Sequence, residues 1–434
     1  MGLLKTLRSV IAIRRFDFNS RRRRLAKCGD IADVRRLAKR NLPGGVFDYF
    51  DGAAETEWSL ANNSAAFENV HLAPRVLVDV SRIDTRTTVM GQHMPYPFAF
   101  SPTGFTRIAT SAGELAVARV AAKHGVPYTL STLGTRSIEE VAAAAAGVTA
   151  ARATGATATT GTATTGTATT ATARDTTAAP LWYQLYVWKD RGLSRELVQR
   201  AKAAGYKAIM VTVDTAVFGR RDRDVRRGFT LPPKIGLDTF IDGIRHPRWT
   251  LDFVTHEPIT FSAVAGRGDV DGSTAITLSD YVNSQFDASL SWRDLDWVRS
   301  EAGLPIMLKG IQSVEDALRA RDEGVEAIAL SNHGGRQYDG SPAPIELLPH
   351  VMDAVGDGIE VLVDGGVRRG SDVVKACALG ARAVMFGRPY LYGLGAAGEL
   401  GVEWVVDYFA SGIKRTMALV GATDVAALRS IVKR

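Results

Sequence analysis

Eight short, almost continuously apolar runs between residues 97 and 387 constrain this chain more than any other feature. They read PFAFS (97–101), PYTLS (127–131), WYQLYV (182–187), AIMVTV (208–213), PIMLK (305–309), AIALS (327–331), VLVD (361–364) and AVMFG (383–387). Between most of them lie stretches with the period of an amphipathic helix, such as 113–123, 194–204, 313–323 and 370–379. A strand that is apolar on both faces must be covered on both, which is the condition of a parallel sheet flanked by helices. Eight such units predict an α/β fold closed into a (β/α)8 TIM barrel rather than an open doubly wound sheet. With 434 residues, 46% of them hydrophobic, the chain has material for so large a core.

Three regions depart from the rhythm. Residues 1–30 are expected to form a basic arm, because Arg14, Arg15, Arg21, Arg22, Arg23, Arg24 and Lys27 concentrate charge there. Such a run is ordinarily solvated; its functional alternative is attraction to anionic lipid, worth about 1 kcal/mol per basic residue. Residues 31–434 are read as the barrel domain, with an N-terminal helical segment and an insertion at 149–179 made almost wholly of Ala, Thr and Gly. That composition offers no periodic apolar face, so a flexible insertion is expected, on the barrel face opposite the strand C-termini. A long connection between the fourth and fifth runs, 222–290, is expected to be a lid or a binding segment.

The net charge of +7 comes with no recognisable nucleic-acid-binding motif, so no nucleic-acid partner is expected. No segment approaches the ~18–20 apolar residues of a spanning helix, and the N-terminus lacks a secretory pattern, which predicts a cytoplasmic protein. Cys28 and Cys377 stand far apart, outside any metal-ligand spacing, and fit a reducing compartment. No metal site is expected.

In a parallel barrel the strand C-termini form the active site. Here they carry Pro102-Thr103-Gly104, Ser131, Gln184 with Tyr186, Thr212 with Asp214, Lys309, His333 with Arg336, Asp364-Gly365-Gly366 with Arg368, and Gly387-Arg388. The last two ends, DGGVRRG and GRP, pair glycines with arginines, and exposed N–H groups beside guanidinium forks suit a phosphate. His333, Arg336, Lys309 and Asp214 combine a base, a carboxylate clamp, a second cation and an acid able to orient the histidine. That set suits taking a proton or hydride from an anionic substrate.

The motifs SNHGGRQ, VTVDT, WYQLYV, MLKG, DGGVRRGSDVVKA and GRP together resemble the FMN-dependent (S)-2-hydroxy acid dehydrogenase and oxidase family. The likeness spans roughly 30–425, and SPTGFTR, HPRW and the segment from Gln285 to Trp292 are most similar to the bacterial quinone-linked L-lactate dehydrogenase type. The resemblance implies FMN as cofactor and a small 2-hydroxy acid as substrate. It implies His333 as the base, Asp214 as its stabiliser, and Arg336 with Tyr49 as the carboxylate clamp. Tyr186 would meet the substrate hydroxyl, and Lys309 would sit beside flavin N1 and the C2 carbonyl. Ser131, Gln184 and Thr212 would bond the isoalloxazine edge, with Pro102, Thr103 and Gly104 on its other side. Asp364, Gly366, Arg368, Gly387 and Arg388 would hold the ribityl chain and phosphate. Leu133 stands where some glycolate oxidases of the family place a large aromatic, which favours lactate over glycolate and leaves longer aliphatic or aryl acids open.

The same likeness implies a homo-oligomer, a tetramer or octamer. It leaves the electron acceptor open between a quinone and O2, the latter giving hydrogen peroxide. Two readings outside the family are a flavin-free scaffold barrel, which would lack the base or clamp, and a barrel oxidoreductase with a catalytic cysteine, for which Cys377, inside an expected helix, is badly placed. A quinone-linked enzyme without a spanning helix needs peripheral membrane contact, on the cytoplasmic face of the inner membrane. The expected contact is 246–254, where Trp249 and Phe253 lie among basic residues; the alternative is that both pack on the barrel.

Overall fold

The eight apolar runs fold as eight parallel strands in a computed structural model that describes residues 17–153, 178–226, 237–263 and 284–432. A hairpin, β1 (Thr87–Val89) and β2 (Gln92–Met94), precedes them. The barrel strands are β3 (Phe98–Phe100), β4 (Tyr128–Ser131), β5 (Leu181–Leu185), β6 (Ala208–Thr212), β7 (Ile306–Ile311), β8 (Ala327–Leu330), β9 (Glu360–Val363) and β10 (Ala383–Phe386). Each pairs with its sequence neighbour and β10 closes on β3. The predicted (β/α)8 barrel is thus the observed one.

The barrel interior is filled by small and flexible side chains, among them Ala99, Ala208, Met210, Met307, Ala329 and Met385, around one large ring, Trp182. Val89 and Met94 complete that cluster, so the hairpin plugs the barrel at its strand N-termini. Its backbone and Gln92 are tied there to Glu360 and Trp182. The other end stays open, and the N-terminal helices Gly44–Asp51 and Trp58–Ala65 reach it, while Ile31–Asn41 packs beside them on the helix Arg388–Ala397. Asp51 anchors them: its carboxylate accepts from Arg35 (2.5 and 2.7 Å), Arg223 (2.9 Å) and the Tyr392 hydroxyl (2.7 Å).

Three expectations change. The basic arm is not a free solvated run throughout: Asn19 caps a helix, Ser20–Leu25, whose Leu25 is buried while Arg21 and Arg22 stay exposed. One apolar anchor suffices to dock a short helix whose cations still face water. The Ala/Thr-rich stretch is helical at its start, because the helix Ile138–Ala153 runs past Thr149, as alanine, the best helix former, allows. Finally, Trp249 packs on the barrel. Its indole N–H donates to the Ile108 carbonyl (2.8 Å) and its ring stacks on Phe253 at 4.9 Å. The large apolar side chains left exposed by the helices Leu237–Arg245 and Pro247–Thr255 are instead Ile241, Ile244, Leu251 and Val254, with Phe253 partly so. Arg14, Arg15, residues 154–177 and parts of the long connection lie outside the described residues.

Candidate active site

The open end of the barrel holds a cavity of about 550 Å³. Every side chain singled out at the strand ends lines it, together with Tyr49 and Leu133, except Asp214. Asp214 lies directly behind His333 and is itself almost completely buried.

His333 donates from Nδ1 to both oxygens of that carboxylate, at 3.0 and 3.1 Å, which leaves Nε2 as the ring nitrogen available to a molecule in the cavity. Burial opposes ionisation of Asp214, but the charge and hydrogen bond of His333 outweigh it and its pKa is lowered. The pair needs glycine beside it. Gly310 sits at a register shift in β7 with φ 111°, and a Cβ there would lie 2.7 Å from Asp214 Cβ. His333 itself holds φ 56°, and its N–H donates to Ser331 Oγ (3.0 Å). The same hydroxyl accepts from Lys309 Nζ (2.9 Å), which is buried 3.0 Å from Asp364 Oδ2. Although burial disfavours the charged amine, Asp364 and then Asp214 raise its pKa, so Lys309 is a fixed cation.

Arg336 lies over the Tyr49 ring, 5.2 Å from its centroid, and donates from Nη1 to the carbonyls of Tyr49 (2.7 Å) and Gly52 (3.0 Å). Burial, with Arg221 as the next cause, pushes its pKa down to about 9, still charged at neutral pH. Arg221 also lies over Tyr49, at 5.5 Å. Arg221 is already paired with the Asp224 carboxylate (2.8 Å), so of the two guanidinium groups on this ring Arg336 is the one with no carboxylate partner among the described residues. Arg221 belongs to GRRDRDVRRG at the start of the long connection, where the charge run itself masked it.

The residues present fit FMN. Gln184 Oε1 is taken by Ser131 Oγ (2.8 Å) and the Thr132 N–H (3.2 Å), while its buried Nε2 has no partner among the described residues and can donate to a ring carbonyl. Asp364 Oδ1 is likewise buried and unpaired, an acceptor for a ribityl hydroxyl. Gly365 and Gly366 hold φ 87° and 83°, and a Cβ on Gly366 would fall 1.9 Å from the Asn63 carbonyl, so only glycine lets this turn lie where it does. Arg368 lines the cavity beside this turn. Arg388 lines it too, but its guanidinium donates to the carbonyls of Phe50 (3.0 Å), Gly334 (2.8 Å) and Gly52 (2.8 Å), tying the N-terminal segment to the His333 turn. Sequence reasoning missed the apolar wall of Phe105, Phe218 and Phe261, since rings in loops carry no periodic signal.

Barrel, cradle and acid–base pair together define a class, a flavin-dependent oxidoreductase on a TIM barrel. Within it, the chain belongs to the FMN-dependent dehydrogenase family, which it matches over residues 38–151 and 144–434. It is 40% identical over 97% of its length, and 92% of the relative's, to a Mycobacterium tuberculosis protein named "Putative L-lactate dehydrogenase". An L-lactate oxidase of Nostoc sp. is also 40% identical, over 91% of this chain and 95% of that one. The solved structure of a monotopic membrane protein, (S)-mandelate dehydrogenase, superposes with a TM-score of 0.82 at 35% identity, covering 94% of this chain and 99% of that one. The protein is therefore an FMN-dependent enzyme of the 2-hydroxy acid dehydrogenase and oxidase group.

Proposed function

We propose that the enzyme oxidises L-lactate to pyruvate and passes the electrons to a quinone. The observation that carries the reading is the convergence of the His333–Asp214 pair, Lys309 and the Arg336–Tyr49 clamp on one cavity. Arg336 and Tyr49 bind the substrate carboxylate, which orients the hydroxyl-bearing carbon. Tyr186, buried and with its pKa raised by that burial, stays a neutral hydroxyl and bonds the substrate oxygen. The substrate proton passes to His333 Nε2, and the imidazolium so formed is held by the Asp214 carboxylate. FMN, when bound, supplies the two-electron sink that no side chain here can offer. Lys309 places a fixed positive charge where negative charge develops. Leu133 and the neighbouring rings give the remaining wall an apolar character that suits a methyl group.

The quinone is supported by the exposed apolar face of Ile241, Ile244, Leu251 and Val254 beside Arg245 and Arg248, a mixture suited to a headgroup boundary. A structural neighbour described as a monotopic membrane protein is consistent with it. A second reading, O2 as acceptor with hydrogen peroxide as product, is favoured by the L-lactate oxidase among the relatives. Stopped-flow reoxidation of the lactate-reduced enzyme by O2 and by a soluble quinone separates them. Faster reoxidation by quinone is expected; reoxidation by O2 alone overturns the quinone assignment.

A further inference from the structure

The segment 257–263 brings the chain back from the exposed helices to the barrel mouth, and it is bonded down at both ends. Arg107, buried in the turn Thr106–Ile108 after β3, donates from Nη2 to the Glu257 carbonyl (2.7 Å) and from Nη1 to that of Pro258 (3.4 Å). Further along, Ser262 donates from N to Gly134 O (3.2 Å) and from Oγ to Arg136 O (2.8 Å). Between these anchors lies Phe261, 5% exposed, which meets Phe105 edge-on at 4.8 Å and lines the catalytic cavity. Phe105 reaches Tyr49 at 6.3 Å, so an unbroken aromatic wall runs from the carboxylate clamp to Phe261.

The opposite side of this wall is stiff. Phe105 holds φ 61° with its N–H on the Leu133 carbonyl (3.0 Å), and a Cβ on Gly104 would already lie 3.0 Å from that of Leu133. The Arg107 backbone N–H is held by Thr135 Oγ1 (3.2 Å), which in turn donates to the buried Glu114 carboxylate (2.7 Å). Arg107 does not line the cavity. Burying a guanidinium is costly unless its donors are satisfied. Nε of Arg107 has no partner among the described residues, so its two bonds to carbonyls of the segment 257–263, which forms neither strand nor helix, are what offset that cost. Releasing them would free Phe261 while leaving the catalytic groups in place.

We propose that Phe261 sets the size of the 2-hydroxy acid side chain that the site accepts, and that Arg107 is the positioning residue that holds it there. This rests on reading the cavity as a 2-hydroxy acid site. The test uses FMN-loaded enzyme and anaerobic flavin reduction by L-lactate and by (S)-mandelate, whose side chains are a methyl and a phenyl. Phe261→Ala is expected to raise the mandelate-to-lactate ratio of kcat/KM by about tenfold or more, the scale of pocket-size discrimination in apolar sites. Arg107→Met is expected to shift the ratio the same way with FMN content retained, and Arg107→Lys, which keeps one ammonium donor, to fall between. A merely structural role for Arg107 would lower both rates together and leave the ratio unmoved. An unchanged ratio in Phe261→Ala overturns the proposal; a shift there with none in Arg107→Lys, the variant most able to fold, overturns the positioning role. Wild-type enzyme reduced by neither acid would overturn the hydroxy-acid reading instead.

Discussion

His333 keeps a left-handed backbone, at φ 56°, that costs a non-glycine residue on the order of 1 kcal/mol, and the surrounding contacts hold it there. Its neighbour Asn332 exchanges two hydrogen bonds with Asn63, at 2.8 and 2.7 Å, and accepts the Gly335 N–H. The strain places the imidazole between Asp214 and the cavity. His333→Gln is therefore expected to keep FMN but lose about 10²–10⁴ in the rate of anaerobic reduction by L-lactate, the usual contribution of a positioned base. Near wild-type reduction in a stopped-flow trace would remove His333 from that role. Arg336→Lys keeps charge without the planar fork, and both affinity and rate should fall, as steady-state kinetics on L-lactate will read. Gly310→Ala forces a Cβ to 2.7 Å from Asp214 Cβ at φ 111°, so a loss of turnover is expected even though the substituted position carries no functional group.

At the scale of elements, the strands are carriers and the connections do the work. β8 delivers His333 and Arg336, and β7 bulges at Gly310 to admit Asp214. The connection after β6 does two things at once. Its inner side bonds to the turn after β3 through Trp249 and through Asp252, which accepts from Ser111 N–H and Oγ at 2.7 Å. Its outer side leaves Leu251 and Val254 exposed. A Leu251→Ser/Val254→Ser double variant should lose cosedimentation with anionic vesicles at low salt while retaining lactate-dependent flavin reduction. Equal sedimentation of the variant would exclude this face as the membrane contact. In sequence the Ala/Thr-rich insertion lies between the helix Ile138–Ala153 and the start of β5, and none of the described residues flanking it lines the cavity. Deleting 154–172 is expected to leave FMN content and turnover largely unchanged in purified enzyme.

Across the whole molecule, the N-terminal helices, the barrel and the long connection meet at Asp51. Burial alone would raise its pKa, yet Arg35, Tyr392 and Arg223 outweigh this and hold it down to about 2, from an ordinary 3.8. A carboxylate whose folded pKa lies below its unfolded one stabilises the fold above the unfolded value and ceases to do so as pH falls through the folded value. For Asp51 this contribution, on the order of 2 kcal/mol, should be complete above about pH 5 and lost towards pH 2. Urea unfolding across that range should show the decline, and Asp51→Asn should abolish this part of it while lowering stability at neutral pH. An unchanged acid limb in the variant would show that other carboxylates govern it.

Local patterns were legible. The eight apolar runs became β3 to β10 because a strand buried on both faces must be written as an apolar run, and the strand ends had to converge once the barrel closed. His333, Arg336 and Lys309 could be named because short motifs keep them beside those ends, and Tyr49 because the family resemblance marked its place in FDYFDGAAE. What the linear order does not contain is the partner of each charge and ring. Arg388 turns to carbonyls of Phe50 and Gly52, Arg107 to those of Glu257 and Pro258, and Trp249 to that of Ile108. These partners are a hundred residues or more away in sequence. Which donor finds which carbonyl depends on how helices and connections pack around the mouth. Hydrogen bonding acts over about 3 Å, and only the folded chain brings such groups that close.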